Sequence, residues 1–165
     1  MTSVFILVVI VIGIFSFVKF NPPLASGTIA SSGDLTFVVI SIGNKGFSHV
    51  EITDVLVNNN EEPQDKKIQL SNPLKGFIVA DDFDGEAREY GITNIKDVLI
   101  EPNTAPSTQL DKVNDGTATE DDKSYGLSVI HNKQINMVTI NYRYLGLSFE
   151  KRVPIKPVIF KTNHL

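Results

Sequence analysis

The chain has 165 residues, a formal net charge of −4 and a pI of about 5.3. That balance argues against general nucleic-acid binding. The absence of cysteine excludes disulfides, thiol catalysis and cysteine-ligated zinc, so a core must hold the fold without covalent help.

The first element is an apolar run, VFILVVIVIGIFSFVKF, from Val4 to Phe20, with Lys19 its only charge. Nothing polar alternates with it, so a half-buried strand does not fit. As a helix, Thr2 to Phe20 spans about 28 Å, close to the thickness of a bilayer core. Residues 1–20 are therefore expected to form a transmembrane anchor or an uncleaved signal. A cleaved signal fits less well: Met1-Thr2-Ser3 has no basic residue, and Pro22-Pro23-Leu24-Ala25-Ser26 has no clean cleavage site. The expected localisation is a single-pass cell-membrane protein with its domain extracytoplasmic, or secreted if the segment is cleaved.

Asn21-Pro22-Pro23 ends the helix, because proline lacks an N–H and disfavours helix in the residue before it. Residues 21–33 read as a linker or a weak first strand, and residues 34–165 as the β-domain. Leu35 to Ile42 is a strand that is apolar on both faces, and so a central one. A turn at Gly43-Asn44-Lys45-Gly46 leads to a strand over His49–Val57. The apolar phase of that strand shifts between Ile52 and Val55, which predicts a bulge near Thr53-Asp54. Asn58-Asn59-Asn60 turns the chain again, since Asn tolerates left-handed backbone.

Lys67–Leu70, Phe77–Ala80 and Lys96–Glu101 are strand candidates, and Asp84–Tyr90 a helical turn ended by Gly91. Asn103 to Ser124 reads as a long polar loop, and Tyr125–His131 as a strand. Val138, Ile140, Tyr142 and Tyr144 then alternate with polar residues. Gly146-Leu147 fits a two-residue type II′ turn. This register sets Arg143 opposite Glu150, Tyr144 opposite Phe149 and Ile140 opposite Val153. Pro154 and Pro157 place the last strand at an edge.

The predicted fold class is all-β: an N-terminal transmembrane helix, then one antiparallel sandwich of about seven or eight strands. The stretch LTFVVISIGNKGFSHVEITDVLVNN, Leu35 to Asn59, resembles the hairpin of immunoglobulin-like domains of bacterial and archaeal surface proteins. There a strand, an N-x-G-type turn and a strand ending in V-x-V-N recur. The resemblance implies an immunoglobulin-like fold and a cell-surface setting, and carries no functional residues with it.

Chemistry is sparse. Asp81, Asp82, Asp84 and Glu86, in an acidic loop around Gly85, are weak metal candidates. As an EF-hand this loop would have Ala80 at position one and Gly91 at position twelve, so both essential ligands are missing. A solvated acidic turn is the simpler reading. Asp111 to Asp122 fits the calcium pattern less well still. His49, His131 and His164 share no ligand spacing and read as surface residues. There is no G-x-S-x-G elbow, Walker loop or G-x-G-x-x-G. No catalytic residue and no cofactor is expected.

The expected function is a membrane-anchored, non-catalytic binding or structural module. Its partners would be the membrane, through the N-terminal helix, and a protein at the cell surface. One alternative is a pilin-like assembly subunit, although an acidic residue near the helix start and a processing site before it are absent. A calcium-dependent carbohydrate-binding or hydrolytic domain is the third reading.

Overall fold

Strand β2, Phe37–Asn44, explains the layering. Val38, Ile40 and Ile42 point into the main core, while Phe37 and Val39 point the other way and join a second cluster with Phe77, Ile92 and Ile130. A strand buried on both faces needs cover on both sides, and the rest of the chain supplies it. The computed structural model describes residues 2–79 and 91–156. Among them, two antiparallel sheets face each other.

The first sheet has the order β1-β2-β7-β4-β5, formed by β1 (Leu24–Ser31), β2, β7 (Ser124–Ile130), β4 (Asp65–Ser71) and β5 (Ile92–Asn94). The second has the order β6-β3-β8-β9, formed by β6 (Leu99–Ile100), β3 (Val50–Val57), β8 (Met137–Tyr144) and β9 (Leu147–Pro154). Nine strands thus replace the seven or eight expected. Of these, β5 falls on no strand candidate, and the short β6 is what remains of the candidate over Lys96–Glu101. β1 lies in the stretch read as a linker or weak strand. β2 is an inner strand, flanked by β1 and β7, as its two apolar faces require.

The main core joins the two sheets through Val38, Ile40, Ile68 and Leu127 from one and Ile52, Val55, Ile140 and Tyr142 from the other. In β3 the bulge falls where the apolar phase predicts it. The register with β8 slips between Ile52 and Asp54, so that Val50 and Ile52 before it and Val55 and Val57 after it all face inward. The bulge also turns Asp54 toward Lys66, whose Nζ donates to Asp54 Oδ1 at 2.6 Å, to Glu62 Oε1 at 2.5 Å and to the Val55 carbonyl at 3.0 Å. Burial would lower the Lys66 pKa, but these two carboxylates outweigh it and raise it. Asn58 and Asn60 take left-handed backbone with φ of 50° and 66°.

The terminal hairpin keeps its predicted faces and changes its register. Arg143 pairs with Ser148, Tyr144 with Leu147, Tyr142 with Phe149 and Val138 with Val153. Leu145 (φ 49°) and Gly146 (φ 78°) are the two central residues, so the turn is type I′ rather than II′. The partner of each β8 residue moves by two positions, and an even shift leaves every side chain on its own face. Tyr144 and Tyr142 are buried, and Tyr142 stacks on Phe149 at 5.4 Å. Arg143 meets Glu51 of β3 at 3.5 Å instead of Glu150, which pairs with Arg152. β9 is an edge strand, as Pro154 suggested.

The middle of the chain departs further from expectation. The supposed polar loop contains helix α2, Pro106–Asn114, which starts on proline at its first turn. No strand forms over Phe77–Val79, and Lys96–Glu101 divides into a 3-10 turn (Ile95–Asp97) and the two-residue β6. The helical turn expected over Asp84–Tyr90 lies outside the described residues.

Helix α1, Thr2–Phe20, forms as a helix. However, no helix among the described residues is long and apolar enough to cross a membrane. This overturns the transmembrane helix and, with it, the single-pass membrane localisation.

Candidate interaction surfaces

The acidic candidates Asp81, Asp82, Asp84 and Glu86 lie outside the described residues. Among the described residues, no group of three or more His, Asp or Glu side chains is placed to hold a metal ion. The weaker calcium candidate is divided by the fold: Asp111 lies on α2, while Asp122 accepts hydrogen bonds from Lys112 and Thr119. The Lys112 contact, with help from Thr119, lowers the Asp122 pKa.

His49 is exposed, whereas His131 is buried, which corrects its reading as a surface residue. The His131 backbone N–H donates to the Thr36 carbonyl at 2.8 Å, and its ring Nε2 lies 3.4 Å from Glu61 Oε2. Lys133 donates to the same carboxylate at 2.9 Å and is the main cause of the lowered Glu61 pKa. These contacts tie the Glu61 turn to the end of β7. His164 lies outside the described residues.

Two surfaces remain. The first is α1. Among its described side chains, only Val18 enters the sandwich core. Ile6, Val9, Ile10, Ile12, Ile14, Phe15, Phe17 and Phe20 are exposed, Phe17 at 63% and Phe20 at 82%. At about 100° per residue these positions cover every side of the helix except the one that Val18 turns inward. Its C-terminal end is fixed: the Asn21 backbone and side chain both donate to the Phe17 carbonyl, and the Lys45 N–H donates to the Pro23 carbonyl at 3.0 Å. Chain direction then passes through two prolines directly into β1. A pocket at this junction is lined by Phe17, Asn21, Lys45, Phe47 and Tyr144, with Phe47 edge-on to Tyr144 at 5.9 Å.

The second surface is a cleft between α2 and the outer face of the five-stranded sheet. Gly43 in β2 makes the close approach feasible: a side chain there would collide with the Thr104 carbonyl oxygen at 2.0 Å. Across the cleft, Phe77 lies against Gly126 of β7. Gln69 holds that side in place, since it donates to the Ile78 carbonyl at 2.8 Å and accepts from the Ile78 N–H at 3.0 Å. On α2, Gln109 is buried and its Oε1 has no partner. Sequence reasoning passed over this residue with the whole helix. The available signal was Pro106, a helix-starting proline, followed by Leu110 and Val113 at helical spacing.

No family model, no curated protein and no solved structure matches this chain.

Proposed function

We propose that this protein is a non-catalytic structural module, an assembly subunit whose α1 packs against the α1 helices of other copies. The observation that carries the reading is that α1 is apolar on every side while, among its described side chains, the sandwich covers only Val18. A helix apolar all round is one that lives buried. The run Val8-Val9-Ile10-Val11-Ile12 is also β-branched, and an isolated helix of such residues is marginal in water, so packing must support it. One partner helix would cover one side only. Several copies, each offering the same element, cover all sides, which favours a many-copy assembly over a closed pair. Lys19 sits in the last turn, so no like charges meet along the preceding apolar run.

We further propose that the sandwich is immunoglobulin-like and of the kind used by surface proteins. Its strand order supports this reading. β1-β2-β7-β4 facing β3-β8-β9 follows the A-B-E-D and C-F-G arrangement of the constant-type immunoglobulin sandwich, with β5 and β6 as additions. Such a domain is a rigid body that acts through its surface, here carried at the end of an association helix.

Sedimentation velocity of the full chain tests the assembly. Wild-type protein should run as a multimer, and Ile10→Glu with Phe17→Glu should run as a monomer that keeps its β-sheet circular dichroism. A monomeric wild-type chain would overturn the proposal, as would an aggregate that the two charges leave unchanged.

A further inference from the structure

The Asn44–Ser48 turn holds an exposed aromatic ring in place. Phe47 is 67% exposed, yet its backbone N–H and that of Ser48 both donate to the hydroxyl of the buried Tyr144, at 3.0 and 3.3 Å. The Asn44 side chain accepts from the Gly46 N–H and donates to the Ser48 carbonyl, which closes the turn. Gly46 is packed so closely that a Cβ there would lie 2.6 Å from the Tyr144 hydroxyl oxygen. A turn braced in this way loses little freedom when it meets a partner, and a fixed aromatic side chain is a common anchor of interfaces. Lys45, on the same turn, is exposed and makes no ion pair among the described residues. The tip is aromatic and positive.

The cleft under α2 has the complementary character. Its two adjoining cavities, of about 210 and 490 Å³, share Ser41, Phe77, Pro106 and Leu110 as walls, and together they have room for a phenyl ring. Asp111, next to Leu110, and Asp115, at the C-terminal cap of α2, are exposed and make no ion pair among the described residues. An apolar slot beside two carboxylates suits an apolar knob beside an ammonium.

We infer that the Phe47 turn of one copy docks into the α2 cleft of the next, with Lys45 facing Asp111 and Asp115. This contact rests on the assembly through α1 proposed above, and it sets how neighbouring copies are turned. Phe47 lines the same pocket as Phe17 of α1, so copies gathered by α1 bring the turn up to their neighbours. Knob and slot are different surfaces of one chain, so the contact is heterologous and repeats from copy to copy. It is small, and a small contact is weak by itself, so a chain with a charged α1 still falls to monomers.

Cross-linking tests this on the full chain, which has no cysteine of its own. Ser48→Cys stands beside the knob and Ser107→Cys lines the larger cavity. A chain with both, treated with a short bismaleimide at a concentration where wild type sediments as a multimer, should give a ladder of dimers, trimers and longer species. Each single variant should stay monomeric, because in a heterologous contact neither position meets its own equivalent. Phe47→Ala, added to the two-cysteine chain, should abolish the ladder and leave the β-sheet circular dichroism unchanged. Lys45→Glu should cut it several-fold through like-charge repulsion, and Asp111→Lys added to that chain should restore most of it. No ladder from a chain that still sediments as a multimer would overturn this contact and leave the α1 assembly standing, whereas a monomeric wild type would overturn both. A ladder indifferent to Phe47→Ala or to Lys45→Glu would be chance collision and would also overturn the contact.

Discussion

Asn44 is fully buried, and every polar group it has is used. Its Nδ2 donates to the Ser48 carbonyl at 2.7 Å and the Ile100 carbonyl at 3.1 Å, and its Oδ1 accepts from the Gly46 N–H at 2.8 Å. Its backbone exchanges hydrogen bonds with Thr104, as donor to the hydroxyl and acceptor from the N–H. One side chain thus ties the end of β2 to the following turn and to β6. Asn44→Ala should cost roughly 3 kcal/mol in urea melts, because it leaves several buried groups unpaired at once. Asp34 has a smaller and pH-dependent role. Hydrogen bonds from the Ser32 and Thr36 hydroxyls and the Thr36 N–H hold its carboxyl down at about 2, against an ordinary 3.8. A depressed carboxylate stabilises the fold above its unfolded pKa and loses that effect as pH falls through the folded one. Asp34→Ala should therefore lower the melting temperature at pH 6, and the gap to wild type should close between about pH 4 and pH 2.

Among elements, the β8–β9 hairpin shows what a sequence can and cannot specify. Alternation from Val138 to Tyr144 assigned the faces, and a glycine marked the turn. Gly146 fits either type II′ or type I′, and both put like side chains together, so the choice between registers was open to the alternation. It fell to Leu145, which accepts an uncommon left-handed conformation (φ 49°). The bulge in β3 and the asparagine turn were legible for the same reason as the faces: each has a local cause in a few residues. Helix α2 was not, because its stretch is polar and its apolar side chains Leu110 and Val113 are themselves exposed. The burial of Gln109 and His131 depends on distant chain segments and left no local mark. Gly146→Val should cost roughly 1–3 kcal/mol through backbone strain at φ 78°. Tyr144→Ala should cost roughly 3 kcal/mol, since the ring is buried and its hydroxyl accepts from the Phe47 and Ser48 N–H groups. Arg143→Ala should cost less than about 1 kcal/mol, because its pair with Glu51 is half exposed. Urea melts that rank Arg143→Ala as the worst of the three would mean that the faces are reversed.

At the scale of the molecule, a nine-stranded sandwich satisfies its own core and carries a helix that does not satisfy itself. Among the described side chains of α1, the core takes only Val18, whereas aliphatic and aromatic side chains from Ile6 to Phe20 are exposed. The central claim is that other copies of α1 supply the missing cover. The chain has no cysteine, so single cysteines report on it without background. Ile10 and Ile12 are about 200° apart around the helix and so lie on nearly opposite sides. Oxidation should join Ile10→Cys chains into disulfide dimers, and Ile12→Cys chains equally, because disulfides form only where Cα atoms come within about 7 Å. Lys112→Cys on α2 is the reference position and should remain monomeric. Cross-linking at both α1 positions is the result that a many-copy helix bundle predicts. Cross-linking at neither position beyond the Lys112→Cys level would contradict it.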